Sequence, residues 1–351
     1  MPPSLLADYD EVPVLVEKRS SARDEPPTLV PAAPLAPAAN HFSPPPSRLV
    51  ARCHPLEKRI TAQVDDYFLT HWPFKTEKER RKFVAAGFSR VTCLYFPLSL
   101  DDRIHLACRL LTLLFLIDDL LEDMSLEDGR AYNERLMPIA RGDIQPERSV
   151  PVEWIMYDLW EMMRSHDRQL ANDVLEPTFT FMRAQTDQAR LSIRGMGPYL
   201  EYREKDVGKA LLCSLMRFTM GLHVSPDELV SVQHIEQNVA KHLSVLNDIL
   251  SWDKEFNAAR TGHPEGSAIC SAVQVLADET SLSHDAAKRV LWIMCREWEY
   301  EHDRLVEQRI RNEEFPPSGN LLRYIRGLEY QISGNELWSK TTLRYNAPPT
   351  A

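Results

Sequence analysis

Two stripes of oxygen-bearing side chains carry the chemistry of this sequence. The first lies in Asp118-Asp119-Leu120-Leu121-Glu122, the second in Asn247-Asp248-Ile249-Leu250-Ser251-Trp252-Asp253-Lys254-Glu255. A helix turns about 100° per residue, so residues four apart share a face. Asp118 and Glu122 therefore point one way, and Asn247, Ser251 and Glu255 form a second stripe at i, i+4 and i+8. All five offer oxygen, and none a thiolate or imidazole. Such a set suits Mg²⁺ or Mn²⁺ rather than Zn²⁺.

Each stripe has a plainer reading. An acidic cluster after an apolar run is often a solvated helix end. Here the carboxylates fall on the C-terminal side of that run, where the helix dipole disfavours them, and nothing local offsets the cost. Asn, Ser and Glu on one stripe would each need a buried partner if the stripe were core. Ser and Asn are also poor helix-interior residues. A shared hard cation accounts for both stripes better. Lys254 lies beside the second stripe, within reach of an anion bound to such a metal. Together the stripes suggest a cavity that holds divalent cations against a diphosphate.

The elements that must position them read as helix. Between about residues 49 and 346 glycine is scarce and period-two alternation is hard to find. Helical spacing predicts helices over Leu56–Trp72, Ala107–Met124, Tyr199–Leu222, Ser231–Phe256, Ala268–Ala277 and His284–Gln308. Val152–Phe181 predicts one or two more, with Pro177 near a start, and Asn320–Ser333 the last clear one. Ala107–Met124 is apolar on most sides and should lie inside a bundle. With no repeat and no βαβ rhythm, one all-α domain over 49–346 is expected, arranged as a bundle. Residues 1–48 hold eleven of the 25 prolines and read as a disordered leader. Residues 347–351 read as a flexible tail.

The whole chain narrows the function. A formal charge of -10 over 351 residues argues against a nucleic-acid binder, which needs a basic face. Six cysteines without a CxxC pair, no Asn-x-Ser/Thr sequon and no signal-peptide pattern fit a cytoplasmic protein with reduced thiols. The longest apolar run, Leu110–Ile117, is too short to span a bilayer, so no integral membrane association is expected. Glu299-x-x-His302 is a lone motif where a di-iron bundle needs two.

The order and spacing of the two stripes resemble those of the class I terpenoid synthases. Asp118 to Glu122 is similar to that family's aspartate-rich motif. Asn247, Ser251 and Glu255 match its N-D-x-x-S-x-x-x-E triad. Arg203, 44 residues before Asn247, matches its diphosphate-sensing arginine, with Asp206 as the linker position. A salt bridge to Glu204 or Asp206 would be its plain role. Arg344-Tyr345 resembles the family's late Arg-Tyr pair, which closes over the diphosphate. No D-x-D-D motif supports protonation-initiated chemistry. The likeness is strongest to fungal sesquiterpene cyclases. It runs from about His54 to Tyr345, through Phe88–Pro97, Leu116–Glu122, Phe181–Asp187 and Gly334–Ser339.

This resemblance implies a helical bundle around a central cavity, farnesyl diphosphate as substrate and a bicyclic sesquiterpene as product. It implies three Mg²⁺ ions, with Mn²⁺ as a substitute. Asp118 would ligate two of them, with Glu122 a further candidate, and Asn247, Ser251 and Glu255 the third. Arg203, Lys254, Arg344 and Tyr345 would donate to diphosphate oxygens. Tyr95, Phe115, Phe181 and Trp338 match cavity-lining positions, where aromatic faces stabilise carbocations. A homo-oligomer, dimer or tetramer, is expected on the same ground. A cyclase of the same kind with another product, such as a germacrene, stays open. A chain-elongating prenyltransferase would carry a second aspartate-rich motif where this chain has the triad. Two departures stand out: Asp123 adds a charge of unfixed direction, and Trp252 replaces a common tyrosine and should pack behind the second stripe.

Overall fold

The computed structural model describes residues 42–346. Nearly all of the proline-rich leader, and the tail at 347–351, lie outside the described residues. Within them the chain forms fourteen α-helices, one 3-10 turn and no strand.

α1 (Glu57–His71), α2 (Glu77–Ala86) and α3 (Phe88–Tyr95) come first. Thr76 starts α2 by accepting a bond from the Glu79 N–H at 3.2 Å. α4 (Ile104–Leu121) is buried along most of its length and carries the first stripe at its C-terminal end, as the all-round apolar pattern predicts. α5 (Leu126–Arg141) and α6 (Pro151–His166) follow, then α7 (Arg168–Gln185), capped by Asp167 accepting from the Leu170 N–H at 3.0 Å. α8 (Met196–Asp206), α9 (Lys209–Met220) and the short α10 (Pro226–Ser231) lead to α11 (Gln233–Thr261), which carries the second stripe. α12 (Ala272–Thr280), α13 (His284–Ile310) and α14 (Gly319–Thr341) complete the fold.

Some expectations change. Pro177 lies inside α7, and the break in that region falls at Asp167 instead. Burial of Val174, Leu175, Thr178 and Phe179 around it holds the helix together despite the lost backbone donor. Tyr199–Leu222 is two helices, split at Gly208, whose φ of 73° a side chain would strain. α14 runs eight residues past the expected end at Ser333, to Thr341. α2, α3, α5 and the short α10 fall where the spacing predicts no helix. α2 buries only Phe83 and Ala86, so its sequence shows little apolar stripe.

α11 is the spine, packing on α13, α14 and α8, while α14 lies across α3, α4 packs on α3 and α6, and α7 on α9. One large apolar cluster includes Phe68, Leu110, Trp160, Phe179 and Phe218. A second joins Tyr199, Ile249, Trp252, Leu291 and Trp292 behind α11. All six cysteines are unpaired. Among the described residues no helix is long and apolar enough to cross a membrane.

The hydrogen-bonded structure takes in residues that proline content had assigned to the leader. The Pro45 carbonyl accepts from Arg296 Nε at 2.7 Å, and Glu299 accepts from the Ser47 hydroxyl at 2.9 Å and the Arg48 N–H at 2.8 Å. Proline blocks helix and sheet, but an extended segment still offers its carbonyls and remaining N–H groups to side chains.

The contact of α14 with α3 is close enough to test. A Cβ at Gly334 would stand 2.5 Å from the Leu94 carbonyl oxygen. Gly334→Ala is expected to destabilise the protein by about 1–3 kcal/mol. Denaturant unfolding measures this, and a change within about 0.5 kcal/mol would show that the two helices part without cost.

Candidate active site

Seven helices (α3, α4, α7, α8, α9, α11 and α14) and the segment after α14 converge on one cavity of about 220 Å³. α4 contributes Phe115 and Asp118, with Glu122 at its end. α11 contributes Asn247, Ser251, Lys254 and Glu255. Arg203 comes from α8, Phe181 from α7, Tyr95 from the end of α3 and Trp338 from α14, with Arg344 and Tyr345 following. All thirteen residues singled out from the sequence line this cavity.

The two stripes face each other and are cross-linked. Lys254 Nζ donates to Glu122 Oε1 at 2.6 Å, joining the second stripe's helix to the first motif. Ser251 donates to Glu255 at 2.6 Å, the i, i+4 pair that helical spacing predicts. Asn247 Nδ2 donates to the Tyr345 hydroxyl at 3.0 Å, and Asn247 Oδ1 accepts from Arg203 at 3.3 Å. Arg344 forks onto both oxygens of Asp119, at 3.2 and 2.7 Å. Arg203 pairs with Asp206 and, at 2.8 Å, with Asp248. The plain salt bridge of Arg203 and its place in the cavity are thus both present.

The carboxylates are crowded. Asp118, Asp119 and Glu122 each bring an oxygen within 4.8 Å of the others. Burial, then the neighbouring Glu122, pushes the Asp118 carboxyl up to about 6. Its side chain is 42% exposed, but to the cavity, where surrounding protein limits its solvation. Burial, then Asp248, pushes Glu255 up to about 7. Burial alone would raise Asp119 too, but the Arg344 guanidinium holds it below the ordinary carboxylate range. Two carboxyls raised toward neutrality, on two stripes of hard oxygen donors, fit a site for divalent cations. Four carboxylates (Asp118, Glu122, Asp206, Glu255) and four cations (Arg190, Arg203, Lys254, Arg344) line the cavity. That balance leaves no surplus positive charge for an anionic ligand unless metal ions enter with it.

Away from the charged mouth the lining is aromatic and aliphatic. Phe115 stacks on Phe88 at 4.5 Å between ring centres and lies 6.1 Å from Trp338, which meets Tyr345 edge-on at 5.3 Å. Trp338 Nε1 donates to the Ala86 carbonyl at 3.2 Å, fixing the indole. Tyr95 donates to Asn335 Oδ1 at 2.8 Å. Leu111, Leu114, Leu211 and Leu212 belong to the aliphatic part of the wall.

Sequence reasoning missed several polar partners. Gln185 Nε2 donates to Asp118 Oδ1 at 2.8 Å. It lies four residues after Phe181, so the shared helix face was a usable signal. Asp248 is fully buried and also accepts from Tyr199 and, at 2.9 Å, from the Ala272 N–H. Asp119 and Asn335 were passed over as neighbours of assigned residues. The two departures resolve simply. Asp123 is exposed beyond the end of α4. Trp252 is buried behind the second stripe, 4.6 Å from the His284 ring. A further buried group outside the cavity, His242, Glu299 and Glu336, has Arg296 bonded to both carboxylates and Lys340 bonded to Glu336, so two cations balance the two carboxylates without a metal.

Residues 109–301 match the terpene synthase family 2, C-terminal metal-binding domain, and the chain belongs to the terpene synthase family. Relatives more than half identical to it include aristolochene synthases. One from Aspergillus terreus is 60% identical over 309 residues, covering 88% of this chain and 96% of the relative. One from Penicillium roqueforti is 62% identical over 305 residues, covering 87% and 89%. The crystal structure of aristolochene synthase from Penicillium roqueforti superposes with a TM-score of 0.77 at 59% identity, covering 86% of this chain and all of that one. The family's metal-binding description agrees with the oxygen-donor stripes of this cavity.

Proposed function

We propose that this protein ionises farnesyl diphosphate with Mg²⁺, cyclises it to the bicyclic sesquiterpene aristolochene and releases diphosphate. The observation that carries this is the convergence of both oxygen stripes, the donor cations and the aromatic positions on one cavity. The high identity to aristolochene synthases supports the choice of substrate and product.

Asp118, with Glu122, would hold two of three Mg²⁺ ions, and Asn247, Ser251 and Glu255 the third. Mn²⁺ would substitute. When bound, the ions supply Lewis-acid stabilisation of the leaving diphosphate. Arg203, Lys254, Arg344 and Tyr345 orient the diphosphate through N–H and O–H donors, shared with or withdrawn from their present carboxylate and amide partners. Clustered donors stabilise the charge that develops as the C–O bond breaks. Phe115, Phe181 and Trp338 present ring faces to the allyl cation, and the aliphatic wall excludes water. Burial raises the Tyr95 phenol well above its ordinary value, so it enters the reaction protonated, its O–H donated to Asn335. Tyr95 and the retained diphosphate are the candidates for handling the proton between a ten-membered germacrene and the decalin.

Purified enzyme with farnesyl diphosphate and Mg²⁺ should give aristolochene as the main peak in chiral gas chromatography, and chelation should abolish turnover. A dominant germacrene would keep the chemistry and overturn the product. Consumption of isopentenyl diphosphate would overturn the cyclase reading. Trp338→Leu should divert product more than it slows turnover, because a cation–π contact is worth about 0.5–2 kcal/mol. At the upper end, the partition between products would shift roughly thirty-fold. An unchanged mixture would remove Trp338 from the contour.

We also read the chain as cytoplasmic and as a homo-oligomer, dimer or tetramer. Membership of the terpene synthase family supports both readings. Sizing in solution tests the second point. We read the proline-rich residues up to Pro44 as a leader, with Pro45–Arg48 bonded to a single catalytic domain that ends near 346.

A further inference from the structure

Among the four cations lining the cavity, Arg190 is set apart by its partners. Arg203 pairs with Asp206 and Asp248, Lys254 with Glu122, and Arg344 with Asp119. Arg190 pairs with no carboxylate among the described residues. Its sole hydrogen bond there runs from Nη1 to the Gln185 carbonyl at 2.7 Å, and its buried Nε has no partner. A guanidinium carries five N–H donors in a fixed fork. Leaving the buried Nε–H without an acceptor costs free energy unless an anion completes the fork.

Its position fits such an anion. Arg190 sits in the 3-10 turn Gln188–Leu191 between α7 and α8. The Gln185 whose carbonyl it binds also holds Asp118, and the charges that act on Arg190 include Asp206 and Asp118. Asp206 in turn pairs with Arg203. Arg190 therefore lies on the cavity wall between the first metal stripe and the diphosphate-sensing arginine, with its fork unspent.

We propose that Arg190 is a further diphosphate-binding residue, donating to the leaving group from the stretch of cavity wall next to Gln185 and Asp118. This rests on the reading of the cavity as a metal-diphosphate site. A free guanidinium is suited to bidentate contact with phosphate oxygens, whereas a lysine would supply only a point charge. Arg190 would capture the anion without first giving up a protein carboxylate, unlike the other three cations.

Inorganic pyrophosphate with Mg²⁺ is the probe, titrated calorimetrically into the full chain. Arg190→Gln is expected to weaken its binding about ten-fold or more, Arg190→Lys to recover part of the loss, and the melting temperature without ligand to change little. KM and kcat for farnesyl diphosphate should both suffer in Arg190→Gln, with the hydrocarbon mixture unchanged. Pyrophosphate affinity equal to wild type in Arg190→Gln would overturn the proposal, as would an altered mixture with affinity intact. Failure of the wild-type protein itself to bind pyrophosphate with Mg²⁺ would instead overturn the reading of the cavity on which the proposal rests.

Discussion

Glu255→Gln should lower turnover of farnesyl diphosphate about 100-fold or more while leaving the helices in place. Glu255 supplies the formal charge of the second stripe, since Asn247 and Ser251 are neutral. A hard divalent cation depends on that charge more than on the amide or hydroxyl beside it. A hundred-fold loss corresponds to about 2.7 kcal/mol of transition-state stabilisation, within the several kcal/mol a catalytic metal contributes. Steady-state rates across a Mg²⁺ titration measure it. Full turnover at ordinary Mg²⁺ would remove Glu255 from the metal site. Stability should move the other way. In the metal-free protein Glu255 is raised to about 7, first by burial and then by Asp248. The folded protein thus keeps a proton that the unfolded chain releases near the ordinary value of 4.5, and ionising Glu255 weakens folding as pH rises through that window. With chelator present, the Gln variant should melt higher than wild type at pH 8, and the gain should vanish near pH 5. A variant that melts lower at pH 8 would show that the carboxylate is better solvated than its surroundings suggest.

The second large effect belongs to Arg203→Met, and it has two separable parts. Arg203 is the cation facing Asp248, which is wholly buried. Removing one partner of a buried pair leaves the other uncompensated, at about 3–5 kcal/mol. The Tyr199 hydroxyl and the Ala272 N–H still reach Asp248, so the loss should fall toward the lower end. Turnover should also drop by roughly 10²–10³ if Arg203 donates to the leaving diphosphate. Adding Asp248→Asn removes the stranded charge and should restore much of the melting temperature but none of the rate. Recovery of both in the double variant would make Arg203 a structural residue only.

The site was more legible than the fold that carries it. Metal-type and diphosphate positions are legible because side-chain type and helical spacing together express a chemical demand, as Ser251 and Glu255 show by bonding at i, i+4. The aromatic wall was not legible in that way. Phe115 and Trp338 look like ordinary core residues in sequence, and it was family likeness that marked them. Asp248 was passed over because a fully buried carboxylate reads as a solvated neighbour of Asn247 until its three donors are seen. In the fold, α4 was plain from its all-round apolar character. The end of α14 was obscured because Leu337 and Trp338 are the only large apolar residues between Ser333 and Thr341. Pro177 misled because local propensity weighs a proline more heavily than the packed neighbours that keep α7 intact.

The anchoring of Pro45–Arg48 bears on how the chain is handled and how it tolerates change. Glu299 is buried, yet its carboxyl is held down at about 2: burial would raise it, and His242, the Arg48 N–H and Arg296 outweigh that. Two of its donors come from residues 47 and 48, and the same Arg296 that binds Pro45 also binds Glu336 on α14, next to cavity-lining Asn335. The first described residues are thereby laced to the last helix like a belt drawn around the bundle. A shortened form beginning at residue 49 would unbuckle it, so an expression boundary belongs upstream of Pro44.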